Sequence, residues 1–179
     1  MKKSMTNAQN NDWCYCNLNV SVTNDDMQSV YAIDDLIKTL VDPDDNADLS
    51  FFSHVEIPKI LIDNCYLLDH KVEEKNVKET GYKHLHAFTI KEWGCTMDAK
   101  NPKLVDQDVD FVNYEFETRS TPPIAWLAYI SSLYPDLMFE MDCVNEMDLW
   151  EEFSVSYMGG NEIVHSYKKK QKKQKSSKN

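Results

Sequence analysis

Three sets of residues in this chain have types and spacings that could do chemistry. His84-Leu85-His86, joined by His54, His70 or a cysteine, offers imidazole nitrogens to a metal ion. The two histidines would share a face on a strand but not on a helix, and the dense ligand spacing of structural metal sites is absent. Cys14-Tyr15-Cys16 places two thiols on one side of a strand. In an apolar alternation that side is buried, and a buried thiol packs as a small hydrophobe. The 30 carboxylates supply many acid–base pairs, and that abundance is why no pair stands out. No Gly-rich phosphate loop, nucleophile elbow or H-E-x-x-H helix occurs, and the chain holds only four glycines. The expectation is no catalytic residue, no metal site and no cofactor.

The elements that would position these groups follow from periodicity. Cys14, Cys16, Leu18, Val20 and Val22 alternate with Tyr15, Asn17, Asn19 and Ser21, which predicts a strand over 13–22. Thr23-Asn24-Asp25-Asp26 resembles a helix cap, and the helix after it is expected to bury Met27, Val30, Tyr31, Ile37, Leu40 and Val41 before Pro43. Val112, Tyr114, Phe116 and Thr118 alternate with Asn113, Glu115 and Glu117, predicting a strand over 109–118. Thr121 caps the next helix in this reading, with Pro122 and Pro123 in its first turn, and Tyr134-Pro135 ends it. Leu137, Phe139, Met141 and Cys143 mark a third strand. Phe153, Val155 and Tyr157 mark a fourth, which Gly159-Gly160 turns into 163–167.

Between the first helix and the second strand lies an insertion. Residues 49–57 read as a short extended segment, 59–82 are ambiguous, 82–93 read as a helix ending at Gly94, and 97–108 as a polar connection. The order describes an α+β fold: a ferredoxin-like sandwich, a mainly antiparallel sheet with helices on one face and an insertion after the first helix. The expected organisation is a loose terminus over 1–12, one domain over 13–167 and a Lys-rich tail over 168–179.

Composition agrees with one folded domain. The chain has 179 residues, 42 % of them hydrophobic and 11 % aromatic. No apolar run approaches the roughly 20 residues that span a bilayer, and no signal-peptide pattern is present at the N-terminus. Five cysteines form no framework spacing, which predicts reduced thiols and a cytoplasmic setting. Charge is unevenly placed. The net charge is −11, yet seven of the 19 basic residues lie between Lys168 and Lys178, so residues 1–167 hold 12 basic against 30 acidic residues. An acidic body of this kind repels nucleic acid and membrane surface and favours cationic partners.

Several short stretches carry a family likeness. Trp13-Cys14 with its alternating strand, Leu49-Ser50-Phe51 leading to Ile57-Pro58, Trp93-Gly94 with Asp98-Ala99, and Thr118 with Pro122-Pro123 occur in an order and at spacings similar to the YubB-type ferredoxin-like domain family of phage and plasmid genomes. Met97 and Ser120 stand where that family carries tryptophans. The resemblance implies the fold and an origin in a phage or other mobile element, but no reaction.

The functional expectation is therefore a small non-enzymatic accessory or protein-binding protein that meets a basic partner. Its candidate contacts are Glu115, Glu117, Glu140, Asp142, Glu152, Trp93 and Asp98. The alternative is a nucleic-acid-associated or virion-linked protein acting through Lys168, Lys169, Lys170, Lys172, Lys173 and Lys175. The tail is dense in charge and has no apolar anchor, so truncation after Tyr167 should leave the thermal midpoint nearly unchanged. A loss of several degrees in a melting scan would show that the tail docks on the body.

Overall fold

β1 (Trp13–Val22) is the strand on which the rest is built. In the computed structural model, which describes residues 12–24, 27–41, 47–67, 69–145 and 152–168, it pairs antiparallel on both sides. The elements after it are α1 (Met27–Leu40), α2 (Lys59–Asp63), α3 (His70–Thr80), α4 (Leu85–Glu92), β2 (Lys100–Gln107), β3 (Phe111–Arg119), α5 (Ile124–Leu133), β4 (Leu137–Asn145), β5 (Glu152–Met158) and β6 (Asn161–Lys168). The strands form a six-stranded antiparallel sheet in the order β2-β3-β1-β4-β5-β6. The fold is α+β, with α2, α3 and α4 inserted between α1 and β2.

Register sorts the side chains. Cys16 stands between Phe116 and Cys143, and Leu18 between Tyr114 and Met141. Val155 follows beside Met141. All these positions are buried, so one face of the sheet carries the core. α1 packs on β1, β3 and β4, while α5 packs on β4, β5 and β6. The insertion reaches the same core through Phe51, whose ring lies 4.7 Å from Trp126, 5.8 Å from Phe116 and 5.9 Å from Trp93 between centroids. Each such fully buried aromatic contributes on the order of 3 kcal/mol by area.

Several local readings change. Residues 49–57 form turns rather than an extended segment, because the Asp98 carboxylate draws the chain inward there. The ambiguous stretch resolves into α2 and α3. Asp69 caps α3 by accepting from Lys71 N at 2.8 Å, and Gly81 ends it at φ 81°. The polar connection at 97–108 contains β2, a strand with two register shifts against β3. In α1, Ile33 and Leu36 are buried while Tyr31 and Val41 are exposed, so the buried stripe is rotated from the expected one. Thr121 does not cap α5. Its hydroxyl donates to Gly94 O at 2.7 Å, and Pro122 and Pro123 precede the helix. Thr23 likewise donates to Asp136 O at 2.8 Å, while Asp25 and Asp26 lie outside the described residues.

Gly94 is where insertion and sheet layer meet. It sits at φ 89°, and a Cβ there would lie 2.9 Å from Ile124 N and 3.0 Å from Ala125 N. Both the dihedral and the clash are against backbone, which cannot swing away. Gly94→Ala should cost about 2–4 kcal/mol. A urea midpoint within experimental error of the unaltered protein would show that the close approach is not required.

Candidate functional site

Among the described residues, the face opposite the core carries no helix and gathers polar side chains from β1 to β5. The registers place Trp13, Tyr15, Asn17, Asn19 and Ser21 of β1 there with Asn113, Glu115, Glu117 and Arg119 of β3. β4 adds Glu140, Asp142 and Val144, β5 adds Glu152, Ser154 and Ser156, and β2 adds Lys100 and Lys103. Five of the seven sequence-predicted contacts therefore share one surface: Glu115, Glu117, Glu140, Asp142 and Glu152.

The carboxylates are interleaved, not opposed. Glu115 stands between Asn17 and Lys103, and Glu117 between Tyr15 and Lys100. Glu140 stands between Asn19 and Ser156, and Asp142 between Asn17 and Ser154. No two acids face each other across a described ladder, so the direct cross-strand repulsion that an acidic face implies is relieved by neutral and basic neighbours. Asn19 Nδ2 donates to Glu140 at 3.4 Å, Asn101 Nδ2 donates to Glu117 at 3.2 Å, and Ser154 donates to Asp142.

A depression of about 480 Å³ opens in this face, and its lining includes Tyr15, Lys103, Glu115, Glu117, Asp142 and Val144. Tyr15 is 44 % exposed and Val144 49 %. At its margin the Lys100 ammonium lies 3.9 Å from the Trp13 ring centroid and 3.8 Å from the Glu117 carboxylate. One cation is thus already held between an aromatic face and an acid. Trp13 follows the same alternation as Tyr15, which was the sequence signal for its place here. The two lysines were missed with β2.

The other two predicted contacts lie elsewhere. Trp93 is 2 % exposed and donates its indole N–H to Val55 O at 3.1 Å. Asp98 accepts from Ser50 Oγ at 2.7 Å and from Phe51 N at 2.6 Å. Both tie the insertion to the core, and a buried indole offers no surface to a partner. Trp126 is buried as well, and Trp150 lies outside the described residues. Of the lysine candidates, Lys168 ends β6, and Lys169, Lys170, Lys172, Lys173 and Lys175 lie outside the described residues.

The histidines act locally. His84 caps α4 by accepting from Ala87 N at 3.0 Å, and its ring stacks on His86 at 6.2 Å between centroids. His54 sits in a chain of polar contacts: Ser53 Oγ at 3.0 Å, Thr39 Oγ1 at 3.1 Å, then Tyr134 Oη at 2.9 Å from Thr39, which donates to Asp35 at 3.1 Å. This chain joins α1, the turn after it and the end of α5.

No protein-family model matches the chain, and no curated protein matches it. Among solved structures it is similar to the crystal structure of protein api92 from Yersinia pseudotuberculosis, of the DUF1281 family. The identity is 10 % and the TM-score 0.49, with 87 % of this chain and 97 % of that one covered.

Burial pushes the His54 imidazole below its usual value of 6.5, and the charge of Asp35 opposes that shift in part. A histidine with a lowered folded value takes up its proton more readily when unfolded. Its contribution is therefore present above about pH 6.5 and lost as pH falls through that value. His54→Gln should flatten the rise in unfolding free energy between about pH 5.5 and 7.5. An unchanged slope in denaturant titrations across that window would remove His54 as the cause.

Proposed function

We propose that this protein is a non-enzymatic, cytoplasmic binding protein whose open sheet face engages a basic segment of a partner protein. The observation that carries this reading is the depression around Tyr15 and Val144, rimmed by Glu115, Glu117 and Asp142. Lys100, held between Trp13 and Glu117 at its edge, supports this reading, since a guest cation would meet the same kinds of group. An arginine or lysine with an apolar neighbour fits such a surface: carboxylates meet the charge, and the tyrosine and valine meet the stem. The ferredoxin-like assignment draws support from the β2-β3-β1-β4 part of the sheet order, in which helical segments connect β1 to β2 and β3 to β4. A phage or mobile-element origin rests on the sequence resemblance alone.

A second reading has one specific observation behind it. Trp13, Tyr15, Lys100, Lys103 and Arg119 share one end of the open face, and aromatic and basic residues on a sheet can stack and hold single-stranded nucleic acid. Glu115, Glu117 and Asp142 in the same depression repel phosphate, so the protein-binding reading is preferred.

The full chain and Glu115→Gln/Glu117→Gln/Asp142→Asn are compared for binding to a cationic peptide of alternating arginine and leucine and to a single-stranded oligonucleotide. The expected result is peptide association that the triple variant slows about tenfold at low salt and much less at about 0.3 M salt, with unfolding free energy changed by less than about 0.5 kcal/mol. Unchanged on-rates with an intact fold would overturn the interface. Tighter oligonucleotide binding by the triple variant, together with no peptide binding by either protein, would favour nucleic acid.

A further inference from the structure

On the opposite face of the sheet, three thiols converge. Cys14 and Cys16 come from β1 and Cys143 from β4, where it stands directly across from Cys16. Their sulfur atoms all lie within 4.8 Å of one another, with Cys16 to Cys143 at 3.1 Å and Cys14 to Cys16 at 3.8 Å. All three side chains are buried. Apolar packing accounts for thiols in this layer, but it does not require three sulfurs to point at one another. Three sulfurs about 2.3 Å from a shared ion would stand roughly 4 Å apart. Cys14 to Cys16 at 3.8 Å is close to that spacing, and Cys16 to Cys143 at 3.1 Å would have to widen to take an ion.

From this geometry we propose that Cys14, Cys16 and Cys143 form a three-coordinate site for a soft monovalent ion, cuprous copper. Zinc fits less well because it takes four ligands in structural sites. Among the described residues no histidine or carboxylate joins the three sulfurs. The oxygens beside Cys16 Sγ, the Cys14 backbone carbonyl at 3.9 Å and Thr118 Oγ1 at 4.0 Å, are neutral, and Thr118 Oγ1 donates to Thr121 O at 2.8 Å. Thiolate ligands select copper(I), and an apolar, water-poor surrounding favours the cuprous state. Coordination replaces S–H by S–Cu bonds and releases the thiol protons, and the copper stays at +1, so no oxidant or reductant takes part. The cluster lies near one end of the sheet, since Cys14 is the second residue of β1 and Cys143 is two residues from the end of β4. Small shifts of strand ends would admit an ion without opening the centre of the core. Cys95 does not belong to the site, because its thiol is turned to Met97 O at 3.1 Å. The site is independent of the open face.

The test is anaerobic titration of the full, reduced chain with copper(I) delivered from a chromophoric chelator. The expected result is one copper per chain and a raised thermal midpoint, since the ion binds only the folded state. Loss of a group outside a metal's ligand set costs about 10–100-fold in affinity, so Cys14→Ala and Cys143→Ala should each cost about 100-fold or more. Cys65→Ala and Cys95→Ala should stay within about threefold of the unaltered chain. X-ray absorption of the copper-loaded unaltered chain should show three sulfur neighbours, which keeps the test decisive if the core alanine variants do not fold. Nitrogen or oxygen neighbours, or copper held no more tightly than by Cys14→Ala, would overturn the site.

Discussion

The carboxylate of Asp98 holds Phe51 in the core. It accepts from Ser50 Oγ and from the backbone N–H of Phe51 and Phe52, and a hydrogen bond to a charged acceptor is worth about 1.5–3 kcal/mol. The segment it grips has no regular ladder of its own, so without Asp98 its amides would be left without acceptors close to the apolar layer. With them satisfied, Phe51 reaches Trp93, Phe116 and Trp126, and Trp93 returns a hydrogen bond to Val55. Trp126 N in turn donates to Trp93 O at 3.1 Å, which anchors the start of α5. The helical insertion, the aromatic core and the helix before β4 all depend on this one anion.

A second constraint acts within the insertion. Asn76 is buried, and its amide donates to Lys83 O at 2.9 Å while its carbonyl accepts from Asn64 at 2.8 Å. One side chain thus joins α2, α3 and the approach to α4. The insertion, α1 and α5 all pack into the core on one face, and among the described residues no helix covers the other. The same alternation in β1, β3 and β4 that fills the core obliges Tyr15, Glu115 and Asp142 to stand together there.

Much of this was legible in the residues. The four alternating strands, the helix before β4, the Gly159-Gly160 turn and the shared face of Glu115, Glu117 and Glu140 follow from a period of two. β2 was not, because Lys100-Asn101-Pro102-Lys103 is polar and its pairing with β3 shifts register twice, so no clean alternation forms. α3 was hidden for a related reason: an exposed, charge-dense helix has no apolar stripe, and only Asp69 and Gly81 at its ends mark it. The third thiol had a visible signal. Cys143 shares the alternation of Leu137, Phe139 and Met141, and only the register that sets it beside Cys16 was missing.

The two edges of the sheet are unlike each other. β2 carries Pro102, which has no N–H to give, Asn101 at φ 50°, and two shifts in its pairing. β6 is eight residues long and has one shift in its pairing with β5. A head-to-tail array of copies would have to join the β6 edge of one molecule to the β2 edge of the next, and the β2 edge is a poor template for it. Joining of like edges across a two-fold axis remains open to β6, and that union uses up both edges it needs. The irregular strand at the far side of the sheet thus limits any growth through strand addition to a closed pair and acts against an open fibre.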